Sequence, residues 1–113
     1  MRACLIALAL LAALPARAAV TAHNDYPTDA RADYVFGCMK SNGETHEALE
    51  RCSCSIDVIA SLLPYDAYVA GETVASLMQD SGPAGRAIKA TTLAKDKLVT
   101  LRRAQAESEV RCF

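Results

Sequence analysis

Apolar residues recur at steps of three and four along much of this chain, the spacing that aligns side chains on one face of an α-helix. The clearest run begins after Thr45, a good N-cap residue, and ends near Leu63. Its apolar positions are Leu49, Cys52, Ile56, Ile59 and Leu63. Shorter runs predict helices over about 30–40 and 65–79, and a last one that starts between 86 and 92 and ends near 111. Strand-like alternation of apolar and polar residues does not occur, so the pattern predicts an all-α fold.

The segments between these runs carry residues that begin or end helices. Pro27-Thr28-Asp29 is a typical helix start, and Ser41-Asn42-Gly43 suits a helix end because Asn and Gly tolerate a left-handed backbone. Pro64 fits the first turn of the third helix. Residues 80–85, rich in Gly, Ser, Asp and Pro, read as a turn or short loop. A bundle of about four helices is therefore expected.

The first eighteen residues have the features of a cleavable secretory signal. Arg2 supplies the positive charge, Ala3–Leu14 is uniformly small or apolar, and Ala16-Arg17-Ala18 is the small-x-small pattern that signal peptidase reads. An apolar run of about a dozen residues is too short for the roughly 20 that a membrane-spanning helix needs. We therefore expect residues 1–18 to be removed and residues 19–113 to form a single soluble helical domain in the periplasm.

Removing this signal also changes the charge of the chain. Arg2 and Arg17 leave with it, so twelve basic residues fall to ten, against thirteen acidic ones. A small, mildly acidic domain is not suited to nucleic acid or to an anionic membrane surface. We therefore expect neither nucleic acid nor, after cleavage, a membrane among its partners.

Four cysteines remain after the signal, and an even number in a small exported domain predicts two disulfides. They are Cys38, Cys52, Cys54 and Cys112. A Cys52–Cys54 bond is the poorest pairing, because residues two apart on a helix point about 200° apart. Two pairings stay open: Cys38–Cys52 with Cys54–Cys112, or Cys38–Cys54 with Cys52–Cys112. A thiol oxidoreductase, or zinc held by these thiols with His46, is less favoured because the compartment oxidises thiols.

Carboxylates at regular spacing are the candidate metal ligands. The first series repeats every four residues and would lie along one side of a helix, where it could offer oxygens to a hard cation: Asp25, Asp29 and Asp33. The second choice repeats every three residues: Glu44, Glu47 and Glu50. A competing interpretation is structural, since acidic residues in first helical turns cap N–H groups and favour the helix dipole. Asp29 and Glu47 are both placed for that structural role.

Recognised catalytic motifs are missing from the sequence, and His23 and His46 are its only histidines. We therefore predict that the protein is not an enzyme and has no organic cofactor. The tyrosine-rich stretch Leu62–Val69 lies around a predicted helix break and could form a partner surface, although core packing explains it more readily. An alternative function is thus a non-catalytic, disulfide-stabilised interaction module for a periplasmic enzyme system.

Several segments together also suggest a family. The stretch Ala32–Met39 with Asn42-Gly43, then Cys52–Asp57, Leu63-Pro64-Tyr65 and the end Arg111-Cys112-Phe113, resembles small periplasmic proteins of methylotrophic bacteria. These proteins occur with quinoprotein alcohol dehydrogenases and lanthanide-uptake systems, and lanthanide chaperones are among them. The resemblance implies a metal-binding accessory or chaperone protein for a lanthanide or Ca²⁺, since both ions prefer oxygen ligands. Partners would be a periplasmic protein or a second copy in a metal-dependent homodimer.

Overall fold

The computed structural model describes residues 25–113, and five α-helices follow one another along them. They are α1 (Thr28–Asn42), α2 (His46–Leu62), α3 (Tyr65–Gln79), α4 (Pro83–Lys89) and α5 (Thr92–Cys112). The prediction of an all-α, disulfide-held bundle is confirmed, and residues 25–113 contain no strand. The predicted signal peptide, residues 1–18, and His23 lie outside the described residues. Within the described part, no helix is long and apolar enough to cross a membrane.

The predicted start and stop residues stand where the helices begin and end. Thr45 caps α2, its hydroxyl accepting a hydrogen bond from the Ala48 N–H at 3.1 Å. Gly43 ends α1 with a φ of 102°, a backbone conformation that side-chain-bearing residues rarely adopt. Pro64 directly precedes α3, and its carbonyl accepts a hydrogen bond from the Tyr68 N–H at 3.1 Å. Local sequence therefore sets these three boundaries.

Helix α4 was not predicted, because residues 80–85 indicated only a turn or short loop. The turn is shorter: Asp80 Oδ1 accepts a hydrogen bond from the Gly82 N–H at 2.9 Å, and Pro83 then begins a seven-residue helix. Proline suits this first helical position because its φ is already helical and it has no N–H to satisfy. Seven residues are too few to produce a recognisable apolar repeat, so the pattern alone could not reveal α4.

Helix α2 lies at the centre of the molecule. Helix α1 packs on one side of α2, α5 packs on another, and α3 packs mainly on α5, with α4 against α3. The core cluster is built chiefly from α2 and α5, with one tyrosine from the segment before α1: Tyr26, Ile56, Ile59, Leu63, Leu101 and Ala104. The apolar stripe predicted for residues 45–63 is therefore the central packing face.

Two disulfides connect the other helices to α2. Cys38 of α1 pairs with Cys52, and Cys54 pairs with Cys112 at the end of α5, with Cα–Cα distances of 5.8 Å in both. This is the first of the two pairings left open by the sequence. Because the cysteines are oxidised in separate pairs, Cys52 and Cys54 do not form a redox pair with each other. Disulfides of this kind are typical of proteins that fold in an oxidising compartment.

A chain of buried hydroxyls also joins α1, α2 and α5. The Ser108 hydroxyl donates to the Gln105 carbonyl at 2.7 Å, so it accepts from Ser55, at 2.8 Å. Ser55 has then used its only proton and accepts from the Tyr34 hydroxyl, also at 2.8 Å. Ser55 and Ser108 are almost completely buried, and each finds its partner inside this chain.

The close approach of α3 and α5 gives a first prediction. A Cβ at Gly71 would lie 2.7 Å from Leu101 Cβ, whereas a Cβ at Gly37 in α1 would meet nothing within 4 Å. We expect Gly71→Ala to lower the free energy of unfolding by about 1–2 kcal/mol, because overpacking outweighs the gain in helix propensity. Gly37→Ala should raise it by about 0.5–1 kcal/mol. Urea denaturation measures both, and equal stabilisation by the two variants would contradict the close packing.

The disulfides give a second prediction. They close segments of different length, with sequence separations of 58 for Cys54–Cys112 and 14 for Cys38–Cys52. By the chain-entropy model, replacing both cysteines of the longer segment by serine should cost about 4 kcal/mol, and of the shorter about 3 kcal/mol. Thermal unfolding of the two double variants against the parent measures the order. A smaller loss for the Cys54–Cys112 variant would contradict the entropic explanation.

Candidate functional site

The main candidate site is a groove of ≈ 610 Å³ between the exposed sides of α1 and α3. It combines carboxylates, tyrosines and small hydroxyl side chains, and we call it the acidic groove. Its lining residues are Asp29, Ala30 and Asp33 of α1, and Tyr65, Tyr68, Val69, Glu72, Thr73 and Ser76 of α3. Two helices that pack chiefly on different partners, α1 on α2 and α3 on α5, leave this space between them.

Helical spacing puts the groove side chains on common faces. Asp29 and Asp33 are four residues apart on α1, one turn above the other. On α3, Tyr65, Tyr68 and Glu72 follow at steps of three and four. Carboxylates from two different helices therefore border the same tyrosine-lined space.

The groove tyrosines, Tyr65 and Tyr68, also pack against the core. The Tyr26 ring centroid lies 5.1 Å from that of Tyr65 and 5.1 Å from that of Tyr68. Tyr26 is buried and its hydroxyl donates to the Leu63 carbonyl at 3.1 Å. Burial, with smaller contributions from nearby carboxylates, raises the pKa of Tyr26 and Tyr68 above the ordinary value, so both hydroxyls stay protonated. The tyrosines of this stretch therefore pack against the core and also form one wall of the groove.

Glu72 is a groove carboxylate that the sequence patterns did not predict. Partial burial raises the pKa of its carboxyl, and the nearby Arg102 guanidinium partly opposes that rise. Gln105 Nε2 donates to Glu72 Oε1 at 3.3 Å, and Arg102 Nη1 donates to Gln105 Oε1 at 2.9 Å. A carboxylate in the otherwise apolar stretch of α3 was the available signal. Only the packing of α5 against α3 supplies its partners.

The aspartate series is divided by the structure. Asp25 precedes α1, and its Oδ2 accepts a hydrogen bond from the Tyr65 N–H at 2.9 Å, which caps the start of α3. The metal-ligand hypothesis assumed that the three aspartates lie along one helix. They do not, because α1 begins after Asp25. Asp29 and Asp33 both line the groove, and Asp29 Oδ1 also accepts from the Ala30 N–H at 3.0 Å.

Each glutamate of the second series contacts a side chain four residues away. Glu44 pairs with Lys40 at 2.9 Å, Glu50 contacts His46 at 3.3 Å, and Glu47 pairs with Arg51. Glu47 also lies in the first turn of α2. These exposed pairs match the structural interpretation of acidic residues near helix starts.

Between residues 25 and 113, no three His, Cys, Asp or Glu side chains stand together in a way that could hold a metal ion. Asp29, Asp33 and Glu72 nevertheless offer oxygens to one groove, the ligand type that Ca²⁺ and lanthanides prefer. The zinc alternative loses its thiolates, because the four cysteines between residues 25 and 113 are bonded in pairs.

A second depression, of ≈ 490 Å³ between α1 and α2, is mostly apolar. One of its side chains, Phe36, is 64% exposed. The Nζ of Lys40 lies over the Phe36 ring, 4.9 Å from the ring centroid. The charged lining residue of this depression, Arg31, already pairs with Asp57. The acidic groove is therefore the stronger candidate site.

Compared with known proteins, the chain matches no family model, no curated protein and no solved structure. The resemblance to lanthanide-associated proteins of methylotrophic bacteria stays a prediction. We therefore infer what the protein binds from the chemistry of the groove.

Glu72 gives a third prediction. A carboxyl whose pKa is raised by folding contributes stability below its ordinary pKa of 4.5, and that contribution is lost as pH rises through the folded pKa. Glu72→Gln removes this loss and keeps an amide oxygen to accept from Gln105. We expect its free energy of unfolding, relative to the parent, to increase between pH 4 and pH 7.

Urea denaturation at a series of pH values measures this difference. Glu44→Gln is the matched control, because Glu44 is exposed and paired with Lys40. It should show no such gain as pH rises. A Glu72→Gln difference that is independent of pH would contradict the effect of burial.

Proposed function

We propose that this protein is a non-catalytic, disulfide-held binding module of the periplasm. Its acidic groove receives a cationic group from a binding partner. The observation that carries this proposal is the convergence of Asp29, Asp33 and Glu72 on one groove walled by Tyr65 and Tyr68. The signal-like start of the chain and the two disulfides support the choice of compartment.

The chemistry of the groove suits an ammonium or guanidinium group. Carboxylates attract the charge, and tyrosine rings favour cations placed over their faces. Glu72 adds a specific coupling, since burial disfavours its charged form and an incoming cation would stabilise it. The hydroxyls of Thr73 and Ser76 offer further acceptors at the same wall.

The kinds of side chain in the groove support binding rather than catalysis. Its lining includes neither histidine nor thiol, the groups that most often act as base or nucleophile near neutral pH. Burial raises the pKa of the Tyr68 hydroxyl, so this group stays protonated and is a poor general base at neutral pH. We therefore propose an accessory role toward another periplasmic component.

Metal binding is the second candidate. Asp29, Asp33 and Glu72 offer oxygens to one groove, but no three acidic side chains among residues 25–113 stand close enough to hold an ion by themselves, so the ion would also need oxygens from water or a partner. A lanthanide or Ca²⁺ held there would keep positions open for water or for a partner's oxygens. An accessory or chaperone role for such an ion agrees with the resemblance to lanthanide-associated proteins. The same groove would then bind the ion in place of an organic cation.

A fourth prediction tests the groove with an oligolysine peptide and with La³⁺ and Ca²⁺ as separate probes. Asp29→Asn/Asp33→Asn should weaken oligolysine binding by about tenfold, because it removes two of the three groove carboxylates. Isothermal titration calorimetry at low salt measures the affinity. Glu44→Gln/Glu47→Gln, with the same charge change outside the groove, is the control and should bind nearly as tightly as the parent.

The outcomes separate the two candidates. Saturable La³⁺ binding that the Asp29/Asp33 variant loses, without oligolysine binding, would favour the metal function. Equal loss of oligolysine affinity in both variants would mean that net charge alone drives binding, and would contradict a specific groove. Unchanged metal affinity in an Asp25/Asp29/Asp33→Asn variant would exclude the aspartate series as ligands.

A further inference from the structure

The end of α1 carries a chemically labile pair of residues, Asn42 and Gly43. The chain has two asparagines, and Asn42 is the one followed by glycine. Glycine leaves its backbone nitrogen unhindered and lets the backbone bend toward the asparagine amide, which are the conditions for intramolecular deamidation. Both residues are exposed, and a Cβ at Gly43 would meet nothing within 4 Å. Water therefore has access to the labile pair.

The last turn of α1 engages both reacting groups. The Gly43 N–H, whose nitrogen is the nucleophile in deamidation, donates to the Met39 carbonyl at 2.8 Å. The Asn42 Nδ2, which leaves as ammonia, donates to the Cys38 carbonyl at 2.9 Å and lies 3.6 Å from Cys38 Sγ. The nitrogen is free to attack the side-chain amide once this turn opens locally. The labile pair is thus protected for as long as the turn stays closed.

Helix α1 has few links that hold its end in place. None of its fifteen residues, all of them described, is buried. Its side-chain links to α2 through Arg31 and Tyr34 lie two turns and one turn before Cys38. The Cys38–Cys52 disulfide lies one turn before Asn42. This disulfide is therefore the covalent restraint on the turn that protects the labile pair.

We propose that Asn42 is a site of spontaneous deamidation, and that the Cys38–Cys52 disulfide sets the rate by holding the last turn of α1 closed. When the turn opens, the Gly43 nitrogen gives its proton to water and bonds to Asn42 Cγ, while Nδ2 leaves as ammonia. Water then opens the resulting succinimide ring at either carbonyl, which gives aspartate or isoaspartate. The net reaction converts an amide and water to an acid and ammonia, with no oxidant or reductant.

The new carboxylate weakens the turn in which it forms. It lies at the C-terminus of α1, where the helix dipole disfavours negative charge, and it cannot donate to the Cys38 carbonyl. Glu44 places another negative charge two residues away. Helix α1 also carries Asp29 and Asp33 of the acidic groove. Deamidation therefore loosens one wall of the groove from its far end.

Tryptic mapping by mass spectrometry follows the reaction in protein recovered from the periplasm of an expression host and incubated at mildly alkaline pH. Cleavage after Lys40 and Arg51 releases residues 41–51, which contain Asn42 and no other side-chain amide and no cysteine. The mass gain of an acid over an amide in this peptide therefore reports Asn42 alone, and chromatography separates the aspartate and isoaspartate forms. The same protein unfolded in urea gives the unprotected rate.

Two disulfide variants distinguish local opening from global unfolding. In Cys38→Ser/Cys52→Ser the end of α1 is released, and Asn42 should deamidate about tenfold faster than in the parent. Cys54→Ser/Cys112→Ser is the matched control, because its disulfide joins α2 to the end of α5. It should keep nearly the parent rate, although the longer segment makes it the less stable of the two variants.

Hydrogen exchange of the Gly43 N–H gives a second measure that needs no variant. Exchange and deamidation require the same opening, so folding should slow both by the same factor relative to the urea-unfolded chain. Asn42→Asp, which carries the product carboxylate, should lower the midpoint of thermal unfolding relative to the parent.

Three results would overturn the proposal. An unmodified 41–51 peptide in the unfolded chain would remove Asn42 as a deamidation site. Equal deamidation rates in the folded and unfolded parent would remove the protection by the turn. A Cys54→Ser/Cys112→Ser variant that deamidates faster than Cys38→Ser/Cys52→Ser would show that global unfolding, and not the end of α1, sets the rate.

Discussion

Two covalent bonds leave α2 from positions only two residues apart, and the arrangement of the other helices depends on them. Cys52 and Cys54 point to different sides of the helix, so α1 is held on one side and the end of α5 on another. The apolar face formed by Ile56 and Ile59 is then enclosed between these neighbours. A small chain obtains a covered central helix in this way, although its core is limited.

The limited core also explains why polar contacts take part in the packing. The hydroxyl chain from Tyr34 through Ser55 to Ser108 crosses the α1, α2 and α5 interfaces, where a larger domain would place apolar side chains. Each hydroxyl in it has a defined donor or acceptor role, so the register of the three helices is specified as well as their contact. The disulfides and this chain therefore act on the same helices.

The acidic groove is a consequence of that frame. Helix α1 is tied to α2, and α3 is packed on α5 through the contact of Gly71 with Leu101, so the exposed sides of α1 and α3 face a common space. Asp29 and Asp33 enter it from one helix and Glu72 from the other. Other carboxylates pair with a cation close in sequence, as Glu44 does with Lys40, and lie outside the groove. The proposed function depends on the carboxylates that line the groove.

Much of this architecture was determined by local sequence. Apolar spacing defined α2, Thr45 and Pro64 marked helix boundaries, and the cysteine count indicated two disulfides, because helix formation and capping depend on neighbours within a few residues. The choice between the two disulfide pairings, the separation of Asp25 from Asp29 and Asp33, and the recruitment of Glu72 were decided only by tertiary structure. Each depends on which helices pack together, and that follows from contacts between residues far apart in the chain.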